Sequence, residues 1–278
     1  MSTVIAAGVR CRFWVWESIP VYGRLELRAR LKQALRKHWD LAYLLDRPVS
    51  SSCAVDVGAN IGLYSSVLAS RYSSVDAFEA NPALHRRLQA AAARNITVWP
   101  CGLSDQSASV QVHVPILGGR PRYGCGSLTR PHRQGQHDYE VAEARVTRLD
   151  TLARSDVTMI KIDVEGHELA VLKGSESLLE RCRPTVLVEC EDRISEGSVR
   201  SLGALMESHG YRGYFSWNYK VLPLEDFEPT EHQPSMDPSS LPSPAYAHMF
   251  LFVVDSASAE VSRMRAVVKR FMRMARDG

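Results

Sequence analysis

Few of the signals that would set this 278-residue chain apart from ordinary globular proteins are present. Its six cysteines, Cys11, Cys53, Cys101, Cys125, Cys182 and Cys190, include no C-x-x-C pair. Zinc-site spacing is therefore missing, and cysteines beside apolar runs read as small hydrophobes, free thiols of a reducing compartment. No apolar run approaches the ~20 residues that span a bilayer. The opening MSTVIAAGVRCRFWVWESIP places Arg10 and Arg12 inside its apolar stretch and shows no clear cleavage site, so it does not read as a signal peptide. The expected location is cytoplasmic. Excess charge is lacking too: 34 basic residues, only six of them lysine, face 31 acidic ones for a net +3. Such a balance calls for no nucleic acid partner. No repeat of solenoid period occurs. What remains, 45% apolar and 23% charged residues, is the mix of a soluble globular protein rather than a disordered or disulfide-stapled one.

Three segments follow from composition. Residues 1–50 carry aromatics and then RLELRARLKQALRKHWDLAYLL (24–45), with Leu27, Leu31, Ala34 and Leu35 at helical spacing, and read as a helical extension. Residues 51–255 alternate short β-rich runs (AVDV, VDAFEA, ITVWPCGL, MIKIDV, PTVLVECE, AHMFLFVVD) with helical stretches, which implies βαβ crossovers and a mostly parallel sheet with helices on both faces. SASVQVHVP (107–115) suggests an antiparallel insertion. Residues 223–244 hold six prolines and read as a long loop, either an acceptor-contacting lid or a surface excursion. Residues 256–278 form a basic amphipathic helix with Val261, Met264, Val268, Phe271 and Ala275 on one side. Two readings of it stand: peripheral membrane contact held by anionic lipid, or a terminal helix docked on the core, the favoured one.

The strongest local signal is DVGANIG (56–62), ending the first strand of that series and opening a helix. Glycines there permit a tight turn and close approach of backbone N–H groups to a ligand. Glu79 lies 21 residues beyond Gly58 at the end of the next strand, where an acid can accept hydrogen bonds from a ribose diol. The G-x-G-x-x-G fingerprint of NAD sites is not met, because Asn60 replaces its middle glycine, and Asp56 would repel a pyrophosphate. A ligand carrying an ammonium and a sulfonium is attracted instead, which describes S-adenosylmethionine. Asp163 ends a further strand near the switch point where open α/β sheets bind ligands, and His167 opens the helix after it.

The segments AVDVGANIGLYS, VDAFEANP, VWPCGLSD, GCGSLT and above all MIKIDVEGHELAVLKG resemble the FkbM family of S-adenosylmethionine-dependent methyltransferases, in consistent order over residues 53–254. The resemblance implies a class I fold, a Rossmann-like seven-stranded, mostly parallel α/β sheet, and O-methylation of a hydroxyl on a sugar, glycolipid or polyketide-type acceptor. It implies that Asp56, Gly58, Asn60 and Gly62 line the methionine end of the cofactor and that Glu79 takes the ribose. Leu103, Ser104 and Asp105 would hold the adenine, though S-D-Q-S is also plain turn chemistry. Ser127 and Thr129 would lie in a loop near the acceptor, and Trp217 offers a sugar-stacking face. Methyl transfer to a hydroxyl needs alignment and one proton removed. His167, Asp163 and Glu189 compete for that role, and for His167 a structural part is an equal alternative. Asp163, Glu165, Glu189, Glu191 and Asp192 could supply oxygens to a cation, but strand-end acids are common and no metal is expected. A non-catalytic S-adenosylmethionine-binding module is the alternative function. The N/D-P-P-Y/F motif of nucleobase methylation is absent, with DVEG in its place.

Overall fold

The computed structural model describes residues 3–6, 9–12, 38–128, 138–235, 243–254 and 259–277. Near the N-terminus, β1 (Thr3–Ala6) and β2 (Val9–Arg12) form an antiparallel pair, where a helical extension was expected. The helical pattern over 24–45 falls largely outside the described residues; its last part is α1 (Trp39–Asp46).

Among the described residues the main sheet has eight strands rather than seven. Its parallel strands are β3 (Ser50–Val57), β4 (Tyr72–Phe78), β5 (Ile96–Trp99), β10 (Val157–Ile162) and β11 (Thr185–Glu189). β14 (Met249–Val253) pairs antiparallel with both β11 and β12 (Arg212–Trp217). The eighth strand, β13 (Lys220–Pro223), turns back antiparallel on β12. The order is β13-β12-β14-β11-β10-β3-β4-β5. Part of the proline-rich stretch is therefore ordered structure: Pro223 ends the edge strand, and Pro229 opens the short helix α7 (Pro229–His232). Both positions suit a residue without an N–H. The expected insertion is an antiparallel pair, β7 (Ala108–Leu117) with β9 (Tyr139–Thr147), joined to the main fold through β6 (Gly102–Leu103) and extended by β8 (Arg120–Pro121).

Strands buried on both faces read as continuous apolar runs, and side-chain alternation divides this core in two. Ala54, Val75, Met159, Leu187 and Leu251 point to one face, packed by α1, α2 (Leu63–Ala69) and α8 (Ala259–Asp277). Val55, Val57, Ile160, Val186 and Phe250 point to the other, covered by α4 (Glu168–Lys173), α5 (Glu176–Cys182) and α6 (Ser198–Ser208). The helical stretch after β10 is broken into α4 and α5 at Gly174, where a Cβ would lie 1.9 Å from the Ser104 carbonyl oxygen. The remaining helix, α3 (Pro82–Ala91), is capped by the Asn81 side chain, which accepts from the Ala83 amide at 2.9 Å.

The flanking segments share this core with the sheet. Leu41, Ala42, Tyr43, Leu44 and Leu45 of α1 and Val261, Met264, Val267, Val268 and Phe271 of α8 are buried in one cluster. Arg47 donates to Glu260 at 2.6 Å, and Arg270 to Asp46 at 2.9 Å. The apolar stripe of the terminal helix faces protein, as the docked reading expected. No helix among the described residues is long and apolar enough to cross a membrane.

Candidate active site

Strand register builds one row of functional residues. Val57 is level with Phe78 and with Ile162, and Ile162 with Val188. The residues that follow, in sheet order Glu79, Gly58, Asp163 and Glu189, therefore succeed one another along the carboxyl edge of four strands. The turn after β3 takes positive φ at Gly58 (74°), Asn60 (52°) and Gly62 (88°). Asparagine is among the few side chains that tolerate this region, which explains how Asn60 replaces a glycine.

Glu79 is buried, and each of its oxygens is anchored by a backbone amide, Oε2 by Asn60 N–H and Oε1 by Asn81 N–H, both at 2.8 Å. Burial, more than these hydrogen bonds can offset, pushes its carboxyl upward. It lines a cavity with Gly58, Asn60, Leu103, Ser127, Asp163 and Glu165. Apolar Leu84, Leu103 and Val112 offer a flat heterocycle one wall, and among the described residues no lysine or arginine lines it. A lining that includes Glu79, Asp163 and Glu165 suits a ligand with an ammonium and a sulfonium better than a pyrophosphate. The residues thus fit S-adenosylmethionine, whose ribose hydroxyls Glu79 would hold and whose charged end Asp163 would face.

Other expected site residues lie elsewhere. Asp56 is fully buried beneath the turn, accepting from Ser65 Oγ at 2.5 Å, with Lys161 Nζ 3.9 Å away. Gly62 caps α2, where a Cβ would meet Leu88 at 2.6 Å. Ser104 and Asp105 do not line the cavity. Ser104 Oγ is 2.9 Å from His167 Nε2, and Arg148 donates to the Asp105 carbonyl at 2.7 Å. This is a tie between the insertion and the start of α4. His167 belongs to the α4 side of the sheet, whereas Asp163 and Glu189 continue the alternation that faces α1 and α2. Burial lowers its pKa, but the geometry puts it on Ser104 rather than in the cavity. Ser127 donates to the Glu165 carbonyl at 2.8 Å; Thr129 lies outside the described residues. Trp217 is pinned at the end of β12 by its indole N–H on the Ala245 carbonyl, 3.2 Å, and by edge contact with His232.

Sequence reasoning passed over Lys161. Only 1% exposed, it donates to Asp163 Oδ2 at 3.0 Å and sits 4.3 Å from the centre of the Tyr64 ring. Burial opposes its charge, but Asp163 and Asp56 outweigh burial and raise its pKa. A lysine inside the apolar run MIKI was the available signal, since a buried lysine needs a partner. Around it the acids are unsettled. Glu189 is pushed well above the usual carboxyl range by burial and then by Asp163, with Lys161 opposing. Glu165, in the left-handed region at φ 50°, is pushed up to about 8 by burial, Asp163 and Glu191. Such displacement in a cleft marks functional sites. Among the described residues, no three His, Cys, Asp or Glu side chains are grouped to hold a metal ion.

Gly58 carries a direct test of this edge. A Cβ there would lie 1.8 Å from the Asp163 carbonyl oxygen, so the close approach is to the neighbouring strand rather than to the ligand alone. Gly58→Ala should lower thermal stability, with backbone strain alone worth about 1–3 kcal/mol, and abolish S-adenosylmethionine binding. A variant with wild-type melting temperature and wild-type calorimetric affinity would refute this geometry.

Comparison with known proteins identifies the family. The methyltransferase FkbM domain family matches residues 56–213. Methyltransferase 1 of Beauveria bassiana is 26% identical over 181 residues, covering 58% of this chain and 72% of that protein. Hexuronic acid methyltransferase AglP of Haloferax volcanii is 29% identical over 165 residues, covering 57% of this chain and 64% of that protein. The crystal structure of methyltransferase FkbM from Methylobacillus flagellatus superposes with a TM-score of 0.45 at 17% identity, covering 86% of this chain and 56% of the other. The chain thus spans less than two thirds of AglP and about half of the crystallised protein. With the family match over more than half of its length, this chain belongs to the FkbM family of S-adenosylmethionine-dependent methyltransferases.

Proposed function

We propose that this protein transfers a methyl group from S-adenosylmethionine to a hydroxyl of a sugar or glycolipid acceptor in the cytoplasm. The observation that carries this reading is the pair Asp163 and Glu189, at the ends of adjacent strands beside the cofactor cavity, with Lys161 against Asp163. The cofactor supplies a methyl group on a positively charged sulfur. The protein's share is alignment and removal of one proton. Glu189, whose carboxyl is pushed upward by burial and then by Asp163, takes the hydroxyl proton. Asp163, braced by Lys161, orients the acceptor hydroxyl and the charged end of the cofactor. The carboxylates at this edge would favour a positively charged methyl donor over its neutral thioether product. The name of the Haloferax relative supports a sugar as acceptor class.

The test uses S-adenosylmethionine labelled in its methyl group and panels of methyl glycosides, glycolipids and polyketide-type alcohols. Label should enter the sugar-containing acceptors and survive mild alkali, as an ether does. Label confined to polyketide alcohols, or released by alkali as methanol from a carboxyl ester, would overturn the reading.

A further inference from the structure

A second cavity, of about 40 Å³, lies at the same edge of the sheet beyond Glu189. It is walled by Trp39 and Asp40 of α1, Ser216 and Tyr219 around the end of β12, and Tyr246 and His248 before β14, with Phe271 of α8 behind. Every residue lining it falls outside the 56–213 stretch that matches the family. It is therefore built from this chain's own flanking segments.

Its polar atoms are incompletely used. Asp40 is 0% exposed; the Tyr64 hydroxyl donates to its Oδ2, while Oδ1 has no hydrogen-bond partner. His38 Nδ1, 3.8 Å from that oxygen, is buried and likewise lacks one. Buried polar groups are normally satisfied, and leaving them otherwise is costly. A gap of 3.8 Å is too long for a direct bond. A hydroxyl group placed against both atoms can donate to Asp40 Oδ1 while accepting from His38 Nδ1–H, which neither a pure donor nor a pure acceptor can do. The volume suits one hydroxyl or hydroxymethyl arm, with the rest of the ligand outside against the aromatic walls. The cavity is also joined to the reacting edge: Tyr64 holds Asp40 through its hydroxyl and Lys161 over its ring, and Lys161 holds Asp163.

We infer that this cavity is the acceptor subsite, and that it reads a hydroxyl or hydroxymethyl group of an uncharged sugar through Asp40 and His38. The inference rests on the sugar reading above and narrows it. Among the described residues no lysine or arginine lines the cavity, so a sugar carboxylate would face Asp40 without a countercharge from them, which favours a neutral sugar over a uronate. Specificity of this kind, from a site built to bond a hydroxyl, is strong because analogues lacking the group strand buried polar atoms.

Binding and transfer are measured separately on the full chain. Saturation-transfer NMR with S-adenosylhomocysteine present compares methyl glucoside, methyl 6-deoxyglucoside and methyl glucuronide, with methyl galactoside and methyl mannoside covering the alternative ring stereochemistries. At least one neutral hexoside should bind at least tenfold more tightly than the glucuronide. Asp40→Asn, which places an amide where the acceptor oxygen stands, should weaken that hexoside at least tenfold and leave S-adenosylhomocysteine affinity within twofold. Because Asp40 is buried, His38→Ala serves as the second variant and should weaken binding in the same direction. Equal binding of glucuronide, no binding of any hexoside to the wild type, or hexoside affinity unchanged in folded His38→Ala overturns the subsite. Hexoside binding that responds to both variants without any methyl transfer leaves the subsite standing and refutes the sugar-methylation reading instead.

Discussion

Glu189→Gln should lower methyl transfer by about 10²–10⁴-fold, the range expected for loss of a general base, while calorimetric affinity for S-adenosylmethionine changes little. The amide keeps the size of the side chain and removes only its ability to take a proton. The pH profile supplies the sign. A base acts when deprotonated, so kcat/KM should fall as pH drops through the pKa of Glu189. Burial and Asp163 raise that pKa well above the ordinary glutamate value, so the acid limb should lie well above about 4.3. Lys161 is the charge that opposes the rise; Lys161→Met should move the limb to still higher pH. His167→Ala, at a residue tied to Ser104, should keep kcat within a few-fold. Full turnover by Glu189→Gln, or an acid limb at an ordinary carboxyl value, would remove Glu189 from the mechanism. Loss of turnover in His167→Ala with intact cofactor binding would return the base role to the imidazole.

Deleting the terminal helix should have the largest effect on stability. A chain ending at Asp255 loses Val261, Met264, Val267, Val268 and Phe271 from the core. At about 1.5–3 kcal/mol per buried large apolar side chain, this amounts to about 7–15 kcal/mol, an upper figure because unfolded chains already bury some surface. Domain stabilities are about 5–15 kcal/mol, so the truncated chain should be unfolded or aggregated at 25 °C. It also leaves Arg47 without Glu260 and uncovers Leu41, Leu44 and Leu45 of α1. Circular dichroism and size exclusion check this directly. In flotation with anionic vesicles, the full chain should remain at the bottom, since its apolar stripe is spent on the core. A folded, monomeric truncated protein, or a full chain that floats at low salt, would contradict the docking seen here.

Much of the machinery was legible in the residues themselves. The alternation of short β-rich runs with helices implied the parallel sheet, because both signals are local and periodic. The turn at Gly58, the acid Glu79 one strand later, and Asp163 closing MIKID pointed to the cofactor edge for the same reason. The terminal amphipathic helix was equally plain from its spacing, and docking on the core was its favoured reading.

What the sequence could not decide was which face of the sheet each strand-end residue serves. Asp163 and His167 are four residues apart, yet one lies against Lys161 and the other on Ser104. The alternation within a strand is visible in the residues, but which helices cover each face depends on crossovers between distant segments. Lys161 interrupts the apolar run MIKI in the sequence, and only the fold brings Asp56, Asp163 and Tyr64 around it. Asp40 and His248 are further apart in the chain than most of its length, and only the packing of α1 and the approach to β14 put them in one cavity. Local periodicity thus determined the elements and the cofactor turn. Long-range pairing, invisible in any window of residues, decided which side chains share each face and each cavity.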